Sequence, residues 1–378
     1  MINTDIKYEA RLQKVYKEMD RKGLDFLILT SLPSLAYTGN IFQNLAWYVN
    51  TCVILSRNGK SSIVIPYSDY NRISSETWID NIQTWNPPLR NMKEKRFEEV
   101  VAEQISNENK SYNTIGVESN LTWIQNENLK VELPNSKFLE CDSMIQNIMM
   151  IKEPEEIPLM RKVASLCDIG FNAAVENIKP GMTEVQLCGE IEYAMRKAGC
   201  DGYWGGGNQA GTGTAVLLDH YPTSKVIKED HNVKFGIHPS YKLYRGDIAA
   251  TVTLKKPSTK FKHLADVCTE ATEACIDVIR PGIKSKDIDN VFQNIMEENG
   301  YGDYAGWHIG HGIGTGHLPP IISQADETII EPNMVIVINT LAIKKGEPGV
   351  VYETMILVTE NGYERLGKNP IHLVDLSK

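Results

Sequence analysis

The chain reads as two domains, an α/β domain followed by an α+β domain built from two similar halves. Three observations predict this. With 378 residues, the chain is longer than a single hydrophobic core usually supports. Its first 150 residues alternate short apolar strand signals with amphipathic helix signals. The remainder carries a repeat: Lys179-Pro180-Gly181-Met182 recurs as Arg280-Pro281-Gly282-Ile283, an offset of 101 residues. Carried forward, the offset pairs Leu187 with Ile288, Ile191 with Phe292, Met195 with Met296, Gly199 with Gly300, Tyr203 with Tyr304 and Gly205 with Gly306.

In chain order, the pattern predicts a helix over about Tyr8 to Lys22, then strands Phe26 to Leu29, Thr51 to Leu55 and Ser62 to Ile65. A helix over Phe97 to Gln104 and a strand over Thr114 to Val117 complete the first domain. The Pro154-Glu155-Glu156 run marks a helix start after an exposed link, so the domains divide as 1–150 and 151–378, with a helix from Pro158 to Ala164. Each copy of the repeat reads as a Pro-Gly turn, an amphipathic helix, a glycine stop and then strands. Two αβ halves about a pseudo-two-fold axis follow, with a cleft between them as the natural site.

The chemistry concentrates late in the chain. Gly310-His311-Gly312-Ile313-Gly314-Thr315-Gly316-His317 embeds two imidazoles among four glycines. Glycine loses the most backbone entropy on folding, so this run reads as a poor strand interior that lets His311 and His317 line a cavity. Met334 to Asn339 is an apolar strand ending on an amide, and Gly349 to Thr359 a β-branched strand with Glu353 in its middle. Asp247 interrupts a third such stretch, Tyr244 to Leu254. A carboxylate out of water needs a partner, so Asp247, Glu353 and His311 form a candidate site. The glycine-rich run Trp204 to Thr214 lacks the Lys-Ser/Thr of a phosphate loop and leads into an expected strand at Ala215 to Leu218, which excludes nucleotide binding. It reads instead as a close backbone approach to substrate beside His220.

Composition excludes several classes. A net charge of −9 without a basic run argues against nucleic acid or an anionic membrane as partner, and mildly favours a cationic substrate. No window of about 18 apolar residues occurs, and Met1 to Arg11 is polar, so neither a membrane span nor a signal peptide is expected. Seven scattered cysteines without a CxxC pair read as reduced thiols of a cytoplasmic protein.

These pieces jointly resemble the creatinase/prolidase/methionine-aminopeptidase superfamily, the M24 peptidases. The matching segments are Ile151 to Ile157, Lys179 to Thr183, His220 to Thr223, Gly310 to Gly314 and Val358 to Gly362. The resemblance implies a creatinase-like N-terminal domain and a pita-bread catalytic domain. It places the metal ligands of such peptidases, Asp, Asp, His, Glu and Glu, at positions 236, 247, 311, 339 and 353. This chain has Gly236, Asp247, His311, Asn339 and Glu353 there, and both losses remove a negative charge.

The resemblance therefore points to the superfamily's metal-free members, creatinase and ectoine hydrolase. The expected activity is cofactor-free hydrolysis of a C–N bond in a small nitrogen-containing metabolite, an amidine, cyclic amidine or amide. His220 is the expected proton shuttle, with His311, Glu353 and Asp247 also catalytic and His317, Asn339 and His238 binding substrate. The creatinase glutamate falls at Ala249. Trp47 to Leu55 looks like an ectoine-hydrolase segment, and in a homodimer Trp47 and Tyr48 would reach the partner's site to hold a cationic group. Two alternatives stay open. One is an Xaa-Pro dipeptidase or aminopeptidase holding one manganese, cobalt or zinc ion on Asp247, His311 and Glu353, with His238 able to join them; the other is a non-catalytic pseudo-peptidase that binds peptides.

Overall fold

A computed structural model describes residues 8–41, 50–86, 94–107, 113–204, 207–212 and 221–377. The chain divides into two compact units, Met1–Met149 and Met150–Lys378.

In the first unit, helix α1 (Tyr8–Lys22) buries Tyr8, Leu12, Val15 and Met19, the stripe its spacing predicts. It is followed by β1 (Phe26–Leu29), α2 (Leu32–Gly39), β2 (Cys52–Ser56), β3 (Ser61–Pro66), α3 (Tyr70–Glu76) and β4 (Ile82–Trp85). Then come α4 (Phe97–Ser106), β5 (Asn113–Val117), α5 (Trp123–Glu132), β6 (Ser136–Glu140) and α6 (Asp142–Met150). The strands form one six-stranded sheet in the order β4-β3-β2-β1-β5-β6. β1, β2 and β3 are antiparallel neighbours. β3/β4 and β5/β6 are parallel, because α3 and α5 carry the chain back between them.

The second unit opens with α7 (Ile157–Asn177), which runs well beyond Ala164 because its apolar stripe continues through Leu166, Cys167, Phe171 and Ala174. α8 (Glu184–Lys197), β7 (Gly202–Tyr203), β8 (Gln209–Thr212), β9 (Asn232–Ile237), β10 (Pro239–Tyr241), β11 (Tyr244–Arg245) and β12 (Ile248–Thr253) complete its first half. The second half holds α9 (Thr259–Asp277), α10 (Ser285–Glu298), β13 (Gly310–Ile313), β14 (His317–Ile321), β15 (Val335–Ala342), β16 (Val350–Thr359), β17 (Gly362–Arg365) and β18 (Val374–Asp375). A nine-stranded sheet runs β14-β13-β15-β16-β12-β9-β8, with β17 on β16 and β18 on β12.

The sequence repeat is a structural repeat. Gly181 and Gly282 take φ +90° and +89°, a left-handed turn that favours glycine. Their N–H groups donate to Ile227 and Ile330 at the same 2.9 Å, and α8 and α10 start from equivalent places. Gly199 and Gly300 stop the two helices at φ +95° and +78°. The halves then part: β7 follows Gly199, whereas a 3-10 turn over Gly302–Tyr304 follows Gly300.

Strand alternation divides β15 and β16 into two faces. Ile336, Ile338, Tyr352 and Ile356 pack in one core cluster with Leu264, Cys268 and Ala271 of α9 and Phe292 of α10. Asn339 and Glu353 point to the opposite face, paired directly across the two strands.

Candidate active site

The sheet register lines up one row of residues on that opposite face. Gln209 pairs with Gly236, Gly236 with Ala249, Ala249 with Glu353 and Glu353 with Asn339, across five strands. Next to this row lie His238 and Asp247, each one residue beyond the paired Ile237 and Ile248. Asp247 therefore sits not inside a strand but in the bend between β11 and β12. Gly246 allows that bend, because a Cβ there would stand 2.5 Å from Cys167 Sγ on α7.

The histidines approach from the other half. Against the sequence expectation, the glycine-rich run forms a strand, β13, with His317 opening β14. The glycines serve close backbone packing: a Cβ at Gly310 would meet Val337 O at 2.2 Å and one at Gly312 would meet Pro319 O at 2.1 Å. The expectation that His311 and His317 face a cavity holds on this strand pair.

Asp247, only 3 % exposed, is the hub. Its Oδ1 lies 3.4 Å from His238 Nε2, and its Oδ2 lies 3.4 Å from His311 Nε2 and 3.8 Å from His317 Nε2. Burial alone pushes the Asp247 carboxyl up, but its contacts with the His311 and His317 rings and the neighbouring His238 outweigh burial and hold it well below the usual carboxylate range. His317 is pushed below the ordinary histidine range, first by burial, with Asp247 opposing. The rings of His311 and His317 are 4.0 Å apart between centroids. Trp204 covers them, 4.9 Å from the His238 ring and 4.6 Å from the His317 ring, and its Nε1 donates to Gly246 O at 2.7 Å.

These side chains line a cavity of about 340 Å³ together with Gln209, Trp307, His308, Ile321, Asn339 and Glu353. Sequence reasoning missed Trp204, Gln209, Trp307, His308 and Ile321. Trp204 heads the glycine-rich run, a signal that marked the place without marking the residue, and Gln209 carried no signal because only the strand register sets it opposite Gly236. His220, Trp47 and Tyr48 lie outside the described residues, as does the strand expected at Ala215 to Leu218.

The donor set fits a divalent metal. The ligating atoms of His238, Asp247 and Glu353 lie within 4.8 Å of one another, as do those of Asp247, His311 and His317. Asn339 Oδ1, buried in the same cavity, receives no hydrogen bond from the described residues. Imidazole, carboxylate and amide oxygen are the donors such ions take.

Residues 158–360 match metallopeptidase family M24 and residues 11–151 match the creatinase/prolidase N-terminal domain. A protein named Xaa-Pro dipeptidase from Pyrococcus furiosus is 28 % identical over 372 residues, covering 97 % of this chain and all of that protein. The solved prolidase from Pyrococcus furiosus is 26 % identical with a TM-score of 0.81, over 94 % of this chain and 99 % of that one. An Xaa-Pro dipeptidase structure from Bacillus anthracis, 24 % identical, has the same fold at a TM-score of 0.85 over 98 % and 100 % of the two chains.

Three expectations are thereby corrected. The relatives named above carry the names Xaa-Pro dipeptidase and prolidase, where creatinase and ectoine hydrolase were expected. Metal-free cleavage of an amidine or cyclic amidine is overturned by the match to a metallopeptidase family, and the expected lack of a metal cofactor by the candidate metal-ligand groups around Asp247. The expectation went astray because it gave most weight to the carboxylates lost at 236 and 339, whereas the fold brings His238, read from the sequence as able to join Asp247, His311 and Glu353, to 3.4 Å from Asp247. With a two-domain pita-bread architecture and a matched segment that spans most of the second unit, this hydrolase belongs to metallopeptidase family M24.

Proposed function

We propose that the chain is a metal-dependent peptidase that cleaves short peptides of the Xaa-Pro class, with Asp247, His311 and Glu353 holding the ion. The observation that carries this reading is the convergence of two buried carboxylates and three imidazoles on one cavity of about 340 Å³, a size suited to a dipeptide. A bound divalent ion supplies Lewis-acid polarisation of the scissile carbonyl and activation of water.

The chain's own residues do the rest. Asp247 and Glu353, both about 3 % exposed, keep their charge out of solvent, where attraction to a cation is least screened. His317 stands at the mouth, its side chain partly exposed but its Nε2 on the buried side, 3.8 Å from Asp247, placed to orient the substrate and to take and return a proton. Trp204 and Ile321 offer an apolar wall for the proline ring, and Asn339 an amide for a peptide group. Residues 1–150 form the N-terminal domain and 151–378 the catalytic domain in this reading, which also carries a cytoplasmic homodimer.

The test is hydrolysis of a panel of Xaa-Pro dipeptides by the purified chain before and after chelation. Turnover that disappears in chelator and returns with manganese, cobalt or zinc supports the reading. A metal-loaded chain that cleaves no proline-containing peptide removes it.

A further inference from the structure

We infer that His238 is a metal ligand that occupies the place left open by Gly236, and that the site takes one late first-row ion, zinc or cobalt(II), rather than two. The inference rests on the reading of this cavity as a metal site and concerns its composition.

Three restraints fix the His238 ring. Its backbone N–H donates to Asn208 Oδ1 at 2.9 Å, its Nδ1 pairs with Gly207 O at 2.9 Å, and Trp204 packs on its face. A carbonyl oxygen only accepts, so Nδ1 carries the hydrogen and Nε2 is the atom left to face Asp247. His311 repeats the arrangement, its Nδ1 donating to Gly312 O at 3.0 Å. A ring nitrogen held by a backbone carbonyl, with the other turned to the site, is the usual support of a metal-ligating histidine.

The distances agree with donors gathered around an ion at Asp247: His238 belongs to one close group with Asp247 and Glu353, and His311 to a second, with His317, that shares Asp247. Each Nε2 stands 3.4 Å from an oxygen of Asp247, beyond the range of about 2.7–3.2 Å for N–H···O bonds. Two donors at about 2.1 Å from one tetrahedral ion are about 3.4 Å apart.

A side chain at position 236 and the His238 ring compete for one space. A Cβ at Gly236 would start 3.0 Å from His238 Nε2 and 3.1 Å from Gln209 Oε1, so a longer side chain there would displace the imidazole. Glycine at 236 and histidine at 238 thus belong together, and they exchange a carboxylate for an imidazole.

Charge sets the number of ions. Asp247 and Glu353 together carry two negative charges, enough to neutralise one divalent cation; His238, His311 and Asn339 add donors without charge. A second ion would find no further carboxylate lining this cavity among the described residues and would have to draw its counter-charge from solvent-derived anions, so the protein's own charge matches one ion. Imidazole donors favour zinc, cobalt, nickel and copper over manganese and magnesium.

The experiment is a zinc titration of the metal-stripped full chain against a chromophoric chelator, with metal content counted by inductively coupled plasma mass spectrometry. One ion per chain is expected, and His238→Ala is expected to weaken zinc by about a hundredfold or more, with His317→Ala weakening it less. Two ions per chain, or wild-type affinity in folded His238→Ala, overturns the inference and leaves the peptidase reading intact. X-ray absorption on the zinc-loaded wild type and on His238→Gln counts the imidazoles at the ion: one fewer in the variant supports the inference, an equal number overturns it. Dipeptide hydrolysis is scored separately, so a single His238-dependent ion without turnover sustains the inference and removes the peptidase reading, whereas a chain that binds no metal removes both.

Discussion

From Gly181 to Gly199 and from Gly282 to Gly300, the second unit repeats one turn, one helix of 14 residues and one glycine stop, yet the strands that follow bring different chemistry to the cavity. The first half contributes Gln209, Gly236, His238, Asp247 and Ala249; the second contributes His311, His317, Asn339 and Glu353. The scaffold is held in place by glycine conformations and buried apolar stripes, which tolerate little change. The cavity row is set by single side chains on alternate strand positions, whose identities the backbone pairing does not fix. The donor set therefore differs between the halves although the backbone repeats.

Asp247→Asn should break this comparison most severely. It keeps the shape of the first half's hub but removes the charge that three imidazoles face. Hydrolysis of an Xaa-Pro dipeptide should fall by about a thousandfold or more and zinc retention should fail. Steady-state kinetics with metal analysis of the same preparation reads both, and unchanged turnover would deny Asp247 its place at the centre.

A pair of glycine substitutions separates scaffold from site. Gly310→Ala pushes a methyl against the Val337 carbonyl at 2.2 Å, backbone against backbone, and should cost about 3 kcal/mol or more. Gly181→Ala and Gly282→Ala meet no atom within 4 Å and strain only the positive φ, costing about 1 kcal/mol each. Urea unfolding should place the two repeat variants together and Gly310→Ala well below them.

Lys234 sharpens the contrast through pH. It lies on β9 of the first half, 7 % exposed, and burial, aided by Lys225, lowers its pKa to about 8. The unfolded chain then binds more protons than the folded chain between pH about 8 and 10.5, so stability should rise with pH across that window, by roughly 3 kcal/mol for this group. Below pH 8 the cost of the buried ammonium is fully present. Lys234→Met should flatten the rise, measured as denaturant midpoints from pH 7 to 10.5; an unaltered slope would show that Lys234 does not contribute it.

The smallest effect concerns the helix starts. Thr183 caps α8, accepting from Gln186 N at 3.2 Å in a capping box, while Lys284 at the matching place of α10 makes no side-chain cap. Thr183→Ala should cost about 1 kcal/mol and Lys284→Ala almost nothing. Equal costs would mean that the sheet contacts, not the caps, fix both helices.

Sequence by itself determined much of this protein. The helix expected over about Tyr8 to Lys22 is α1, because a long amphipathic period is a local property. The Pro-Gly and glycine punctuation revealed the two halves for the same reason: a left-handed backbone position is written in one residue. Asp247, His311 and Glu353 were legible as charged or ring groups set in apolar or glycine-rich surroundings. Only the tertiary structure decided the composition of the site. The row from Gln209 to Asn339 joins five strands that lie up to 130 residues apart in the chain, and no local pattern encodes register between such strands. That register, with the bend at Gly246, sets His238, read from the sequence as binding substrate or joining a metal, beside Asp247 and lets an imidazole fill the space next to Gly236. Local periodicity fixes elements because its energy is local. The metal set follows from side-chain atoms meeting within a few ångströms across the sheet, which only the folded chain defines.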